Sequence, residues 1–272
     1  MQRPRHNVLL IVEGEKDEPR LVKSLFNAFT RNEEWVIHTY GTVIHDLIEK
    51  INNDYNGDFE NIEIRKVLVE MLPDDRQEDR NKLLYTKFTD IILMFDFDPQ
   101  DDRMSIDGLR RMQSAFNDSG DTDKGLLLIN YPAIESVKEA AVLPYESFLE
   151  SFTKLSDISS YKQIVDQTLR NYSGHYGNFE TFDAKLLTNA IAHTVGKAQL
   201  LLGDLSIDET FPYEHSNNLS DRCRDISLVD LLDYQIHEYV ENGRVASCGT
   251  GPFFIAVWKR ALDGAWKAFY GD

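Results

Sequence analysis

Cysteine is scarce in this chain: Cys223 and Cys248 are the only two among 272 residues. That is too few for a disulfide scaffold, free thiols are the default, and the usage suits a reducing, cytoplasmic setting. Long apolar runs are missing as well. The longest, Phe253 to Trp258, is six residues, against ~18 or more for a membrane-spanning helix, so no membrane attachment is expected. The basic start Met1 to His6 is followed by only five apolar residues before the acidic stretch from Glu13, too short for a signal peptide. The seven histidines show no His-x-x-x-His spacing and no Cys-x-x-Cys accompanies them, which speaks against zinc. His193, inside an apolar stretch, reads as a core residue. Neither a G-x-S-x-G nucleophile elbow nor a G-x-x-x-x-G-K-[ST] phosphate loop occurs. Positive charge is the last shortage: 29 Lys and Arg against 46 Asp and Glu leave a net charge of −17. Taken alone, that surplus repels phosphate backbones and counts against a nucleic-acid enzyme.

What is present is the composition of a folded protein, 42% apolar and 28% charged. Val8 to Val12 is a continuous apolar run of the kind that forms a strand buried on both faces. Ile91 to Phe95 and Leu126 to Ile129 repeat the pattern, and Trp35 to Tyr40 reads as a further strand. Helical stripes lie between them. One follows Asp17, a candidate cap, through Leu21, Val22, Leu25, Phe26 and Phe29. A second follows Gly41-Thr42 through Val43, Ile44, Leu47 and Ile51. Others are expected over Phe59 to Leu72 and Ser105 to Phe116. The acidic stretches Asp74 to Asp79 and Asp118 to Asp123 read as solvated loops. Alternation over residues 7–132 predicts an α/β fold with a mainly parallel sheet flanked by helices. Past Pro132 the buried-strand pattern stops. Helices are expected over Tyr145 to Leu155, Ser159 to Tyr172, Thr181 to Leu202 and Leu228 to Val240, with a loop at Ser173 to Asn178. Gly249 to Ile255 reads as a glycine turn into a buried helix. The expected organisation is an α/β domain over 1–140 and a mostly helical C-terminal domain over 141–272 packed on it.

Three predicted strands end in polar residues: Glu13, then Asp96 with Asp98, then Asn130 with Glu135 five residues on. In a parallel sheet the carboxyl ends of strands share one edge, where ligands bind. The two-residue period puts Asp96 and Asp98 on one side, and Glu13 on a neighbouring strand would complete a cluster of three carboxylates. A hard divalent cation relieves their repulsion, and oxygen ligands suit Mg²⁺ or Mn²⁺. The plainer reading is that an acid after a buried strand ends the strand or caps the next helix, as expected of Asp17 and Asp101. Asp-x-Asp alone also occurs in haloacid dehalogenase-type phosphatases and in glycosyltransferases.

Glu-Gly after one strand and Asp-x-Asp after a later one is a more specific combination. Ile11-Val12-Glu13-Gly14-Glu15-Lys16-Asp17-Glu18 resembles the first motif of TOPRIM domains, and Met94-Phe95-Asp96-Phe97-Asp98 resembles the second. That family includes topoisomerases, primases and the nucleases of OLD and RloB type. Tyr40 to Ile44 and Ile129 to Ser136 are similar to segments of bacterial defence-associated TOPRIM proteins, among them the effector of the PARIS anti-phage system. The resemblance covers residues 7–140. It implies a TOPRIM-like (Rossmann-like) sheet and a Mg²⁺- or Mn²⁺-dependent nuclease acting on DNA or RNA, tRNA included, in anti-phage defence. It makes Glu13 a metal ligand or general acid/base, Asp96 and Asp98 metal ligands, Glu135 a fourth carboxylate, and Lys16 a phosphate contact at a helix start. Departures are clear. None of the 12 tyrosines is an assignable topoisomerase nucleophile, and the fused ATPase of the OLD nucleases is absent. A separate ATPase partner or a homo-oligomer is then expected to present substrate to so acidic a chain.

Two other readings stay open. One is a Mg²⁺-dependent phosphatase or nucleotidyl transferase using Asp96 and Asp98, although dehalogenase-type enzymes begin with that strand and carry Thr or Val where this chain has Gln100. The other is a non-catalytic acidic TOPRIM-like scaffold or interaction protein. In the C-terminal half Arg222, Arg224, Lys259, Arg260 and Lys267 are candidates for phosphate contact, set against scattered solvated positions.

Overall fold

The apolar runs become strands buried on both faces: Val8 to Val12 and Ile91 to Phe95 are each at most 1% exposed in the computed structural model. The structure describes residues 5–30, 33–172, 177–204 and 218–270. Along the chain these form β1 (Arg5–Val12), α1 (Asp17–Phe29), β2 (Glu34–Gly41), α2 (Ile44–Asp54), α3 (Ile64–Met71), α4 (Gln77–Tyr85), β3 (Asp90–Asp96), α5 (Ile106–Ala115) and β4 (Leu126–Tyr131). There follow α6 (Glu135–Val142), α7 (Tyr145–Leu149), β5 (Phe152–Lys154), α8 (Tyr161–Leu169), α9 (Ala184–Leu202), α10 (Leu219–Asp225), α11 (Leu228–Asn242), β6 (Arg244–Ala246), β7 (Cys248–Gly249) and α12 (Lys259–Tyr270). The fold is α/β, with a mainly parallel sheet in the order β2-β1-β3-β4-β7 and a separate β5-β6 pair. β1 runs parallel to β2 and β3, and β7 joins β4 antiparallel. By internal packing the chain forms two compact units, one of Met1–Glu15, Asn32–Phe95 and Gln100–Leu127, the other of Lys16–Arg31, Asp96–Pro99 and Leu128–Asp272.

In the first unit β1 lies between β2 and β3, with Leu10 opposite Thr39 on one side and Ile92 on the other. The α2 stripe is buried as expected, through Ile44, Leu47, Ile48 and Ile51. Ser105 caps α5 by accepting a hydrogen bond from the Gly108 N–H at 3.1 Å. Asp101, a candidate cap, instead accepts from the Arg103 backbone N–H at 2.8 Å and pairs with the Arg103 guanidinium at 2.6 Å. Arg103 also pairs with Asp46. The helix expected from Phe59 begins only at Ile64. The Asp58 carboxylate accepts from both the backbone N–H and the side chain of Asn61 and closes a turn there. The acidic stretch read as a loop holds the start of α4. Glu78 and Asp79 occupy its first turn, where the helix dipole favours acids, and Lys82 pairs with Glu78 at 2.9 Å.

In the second unit α1 buries Leu21, Val22, Leu25, Phe26 and Phe29. Phe26 stands edge-on to Phe254 at 5.5 Å, and the Ser24 hydroxyl donates to the Phe179 carbonyl at 2.9 Å. Lys16 takes the N-cap position of α1 without a side-chain cap bond, so Asp17 is the first helical residue rather than the cap. The long helix α9 starts at Ala184, capped by Asp183, and ends at Gly203, whose φ of +76° suits glycine. Strands do not stop at Pro132. β7 pairs Tyr131 with Cys248 and Asn130 with Gly249, and β5 and β6 pair antiparallel. The helix expected to run to Leu155 stops at Leu149. The buried ammonium of Lys197, on α9, takes the carbonyls of Phe148 at 2.8 Å and Ser151 at 2.5 Å, and the next residues pair as β5. The helix expected over Ser159 to Tyr172 contracts to α8. Gly249 to Ile255 is a strand end followed by 3₁₀ turns over Gly251–Val257. Asp263, on α12, closes the start of α10 by accepting from the Ser220 N–H and hydroxyl, each at 2.9 Å.

No described helix is long and apolar enough to cross a membrane. His175 and most of the predicted loop around it, together with His215, lie outside the described residues.

β7 packs against α6 so closely that a Cβ on Gly249 would lie 2.5 Å from Val137 Cγ2 and 2.8 Å from its backbone N. Gly249→Ala should therefore lower stability by roughly 1–3 kcal/mol, read as a drop in the urea midpoint. An unchanged midpoint would contradict this packing.

Candidate site at the strand ends

The last residue pair of β1 and β3 is Val12 with Met94. Glu13 leaves β1 one residue further on and is exposed; Asp96 ends β3 and is half-buried. Phe97 turns inward, with its ring 5.3 Å from that of Tyr131 and edge-on to Tyr239 at 6.4 Å. Asp98 beyond it is exposed. Asp96 Oδ1 accepts the Ile134 N–H at 2.8 Å. Ile134 is the residue before α6, so this carboxylate sits at a helix start, where backbone N–H groups and the dipole favour negative charge. Lys16 is exposed at the start of α1.

Glu135, the first residue of α6, is 3% exposed. Its Oε1 takes the ammonium of Lys162, from α8, at 3.0 Å as an ion pair, and Lys138 one turn along α6 lies 3.9 Å away. Lys162 also reaches Asp17 Oδ2 at 3.2 Å, and Arg20 reaches Asp17 Oδ1 at 3.4 Å. Burial resists the charge on Asp17, but the bond from Lys162 and the field of Lys138 hold its carboxyl below the usual range. Burial likewise opposes the Lys162 charge, yet Glu135 and Asp17 raise its pKa above the ordinary lysine value. Lys138 Nζ stands 5.0 Å over the Phe179 ring, a cation–π contact. Two carboxylates are thus tied by one lysine from a distant helix. Lys138, three residues after Glu135, carries an i,i+3 signal in the sequence; Lys162 carries none, and Asp17 reads there as a cap.

Asn130 links this region to the end of the chain. Its side chain is fully buried, and Oδ1 accepts the Gly251 N–H at 2.9 Å. Its backbone carbonyl accepts the Phe97 N–H at 2.9 Å. Its Nδ2 has no hydrogen-bond partner.

A second polar cluster lies deeper. Tyr161 donates to Glu139 Oε2 at 2.5 Å, and the hydroxyls of Ser151 and Ser247 are 3.0 Å apart. Burial raises the Glu139 carboxyl pKa and pushes the Cys248 thiol up to about 12. Cys223 is raised too, so both free, buried thiols are kept protonated and unreactive. Burial lowers Lys197 to about 7 against the opposing charges of Cys248 and Glu139. His193, a core residue as expected, packs 5.1 Å from Tyr145, and burial lowers it to about 4. Among the basic candidates of the C-terminal half, Arg222 is buried against Gln199 at 2.6 Å, while Arg224 and Lys259 both pair with Asp221.

Among the described residues no group of three or more His, Cys, Asp or Glu side chains is gathered to hold a metal ion.

Two outcomes test this picture. Lys162→Met should cost about 1–3 kcal/mol in chemical denaturation, because it strips the nearest cation from a buried carboxylate; a neutral effect would remove Lys162 from that role. For Lys197 the folded pKa of about 7 lies below the ordinary 10.5, so between these values the unfolded chain binds a proton that the folded chain does not. Stability should therefore rise with pH across that window, and Lys197→Met should lose the rise. Parallel urea midpoints for both proteins from pH 7 to pH 9 would refute it. Comparison with protein-family models, with curated proteins and with solved structures finds no match for this chain.

Proposed function

We propose that the protein is a Mg²⁺- or Mn²⁺-dependent nuclease with a TOPRIM-like core, hydrolysing DNA or RNA, tRNA included, as a cytoplasmic effector of bacterial anti-phage defence. The observation that supports it most is the carboxylate of Asp96 at the end of β3, oriented by the Ile134 N–H at 2.8 Å, with Glu13 directly after the last residue of β1 in the sequence. The defence setting rests on the likeness of the Glu13-Gly14 and Asp96-x-Asp98 segments to that family.

The donors are all hard oxygens, which suit Mg²⁺ or Mn²⁺. Mg²⁺ commonly takes one or two carboxylates and fills its shell with water and substrate phosphate, so two strand-end acids fit it without a third. In this reading Asp96 and Asp98 hold the cation, and Glu135 would join as a further carboxylate only on leaving Lys162 and Lys138. When bound, the cation neutralises phosphate charge and acidifies a water. Glu13, exposed at the strand end, serves as ligand or takes the proton of the attacking water. Lys16 donates to a phosphate oxygen. With a net charge of −17 the chain repels free nucleic acid, so a separate ATPase partner or a second copy presents the substrate.

A second reading, a non-catalytic scaffold, is favoured by one observation: the charges of Glu135 and Asp17 are already met by Lys162, Lys138 and Arg20. Incubation with plasmid, single-stranded DNA and total tRNA under Mg²⁺ and then Mn²⁺ separates the two. Cleavage should fall by at least about a hundredfold in Asp96→Ala and Glu13→Ala, with the circular dichroism of the parent retained. Full activity in both variants defeats the nuclease assignment. A Mn²⁺-induced rise in melting temperature that vanishes in Asp98→Ala is expected as well, and no shift in the parent favours the scaffold.

A further inference from the structure

The first unit holds a cleft of about 420 Å³ between the face of β1–β2 and the helix α4, and the strand-end acids do not account for it. Its volume lies within the range of about 300–1,000 Å³ typical of small-molecule sites. The floor is apolar: Leu9, Leu83 and Phe88 line it and are themselves buried. A ligand with a planar or apolar body suits that floor and the rings of His38 and Tyr40 beside it.

The sheet-side wall is aromatic. His38 stands edge-on to Phe88, with ring centroids 5.5 Å apart at 84°. Tyr40 commits its hydroxyl to the Leu68 carbonyl at 3.2 Å, which leaves its ring as wall rather than donor. Burial, with the charges of Lys82 and Arg5, keeps the His38 imidazole below its usual range. At neutral pH it therefore offers one donor and one acceptor to the edge of a heterocycle.

The opposite wall carries the basic side chains. Along α4 and its cap, Arg76 and Lys82 flank the lining carboxylate Asp79 at 2.6 Å and 3.7 Å, and Lys82 also pairs with Glu78 at 2.9 Å. Both cations are at least half exposed and keep donors beyond those that Asp79 uses. What this wall offers an anion is therefore the N–H donors that Arg76 and Lys82 have left over, not a surplus of positive charge. At one end Glu15 also lines the cleft and supplies an acceptor for hydroxyl groups.

We propose that this cleft binds a mononucleotide, with the base on the Leu9–Leu83–Phe88 floor against His38 and the phosphate on Arg76 and Lys82. The site uses neither a metal ion nor Glu13, Asp96 or Asp98, so it stands apart from the nuclease reading.

Calorimetric titration of the full chain in EDTA tests it, with adenosine and guanosine 5′-monophosphates, adenosine and inorganic phosphate as probes. At least one nucleotide should bind saturably with Kd below about 1 mM, and adenosine and phosphate should each bind at least about tenfold more weakly. The double variant Arg76→Gln, Lys82→Gln should weaken nucleotide binding by about tenfold or more with an unchanged melting temperature. Leu83→Trp, which fills the floor, should abolish binding while Arg76 and Lys82 remain. No saturable binding of either nucleotide overturns the proposal. So does phosphate binding as tightly as the nucleotide, or affinity unchanged in both variants. Loss of nuclease activity in Asp96→Ala alongside intact nucleotide binding supports the separateness of the two sites.

Discussion

Asn130 lies fully buried at the end of β4 and meets three chain segments at once. Its backbone pairs with Gly249 in β7, its carbonyl receives the Phe97 N–H, and its side-chain oxygen receives the Gly251 N–H. Each of these groups, left without a partner inside a packed core, would cost about 1–3 kcal/mol. Satisfying them together fixes the residues after β3 relative to β4, and the rest of the local geometry follows. Phe97 is turned in against Tyr131, and Asp96 is brought to the Ile134 N–H at the start of α6. Glu135, next along, is then buried with Lys162 and Lys138 meeting its charge.

The acidity of the chain takes two forms here. Carboxylates that fold inward are compensated by the chain itself: Asp96 by a helix start, Glu135 and Asp17 by lysines, Asp263 by the first residues of α10. Glu13 and Asp98 face solvent. The net charge of −17 is therefore mostly a property of the surface. Buried and exposed acids next to one another at the end of β3 are what distinguish this edge from an ordinary strand terminus.

How much of this was legible in the sequence depends on whether a signal is local. β1 and β3 were, because burial on both faces writes itself as an unbroken apolar run. The stripe of α1 was too. α4 was not: Leu83 is its one buried residue, so no stripe existed to find. β5, β6 and β7 are only two or three residues long, and their partners lie far along the chain. Propensity has nothing to register at that length. At the candidate site the strand-end acids Glu13, Asp96 and Asp98 were legible as acids after buried strands. The contacts of Glu135 were not, since Lys162 comes from a helix 27 residues later in the numbering. α7 stops early for the same kind of reason: its terminating donor, Lys197, is 46 residues from Ser151.

The stripe of α1 has a further consequence. It is synthesised by residue 29, yet the surfaces that cover it in the second unit are α9, α12 and the turns Phe179–Thr181 and Gly251–Val257. At roughly 5–20 residues per second on the ribosome, those partners arrive on the order of ten to fifty seconds later. Throughout that interval Leu21, Val22, Leu25, Phe26 and Phe29 form an uncovered apolar ridge on the nascent chain. Slowing translation lengthens that interval.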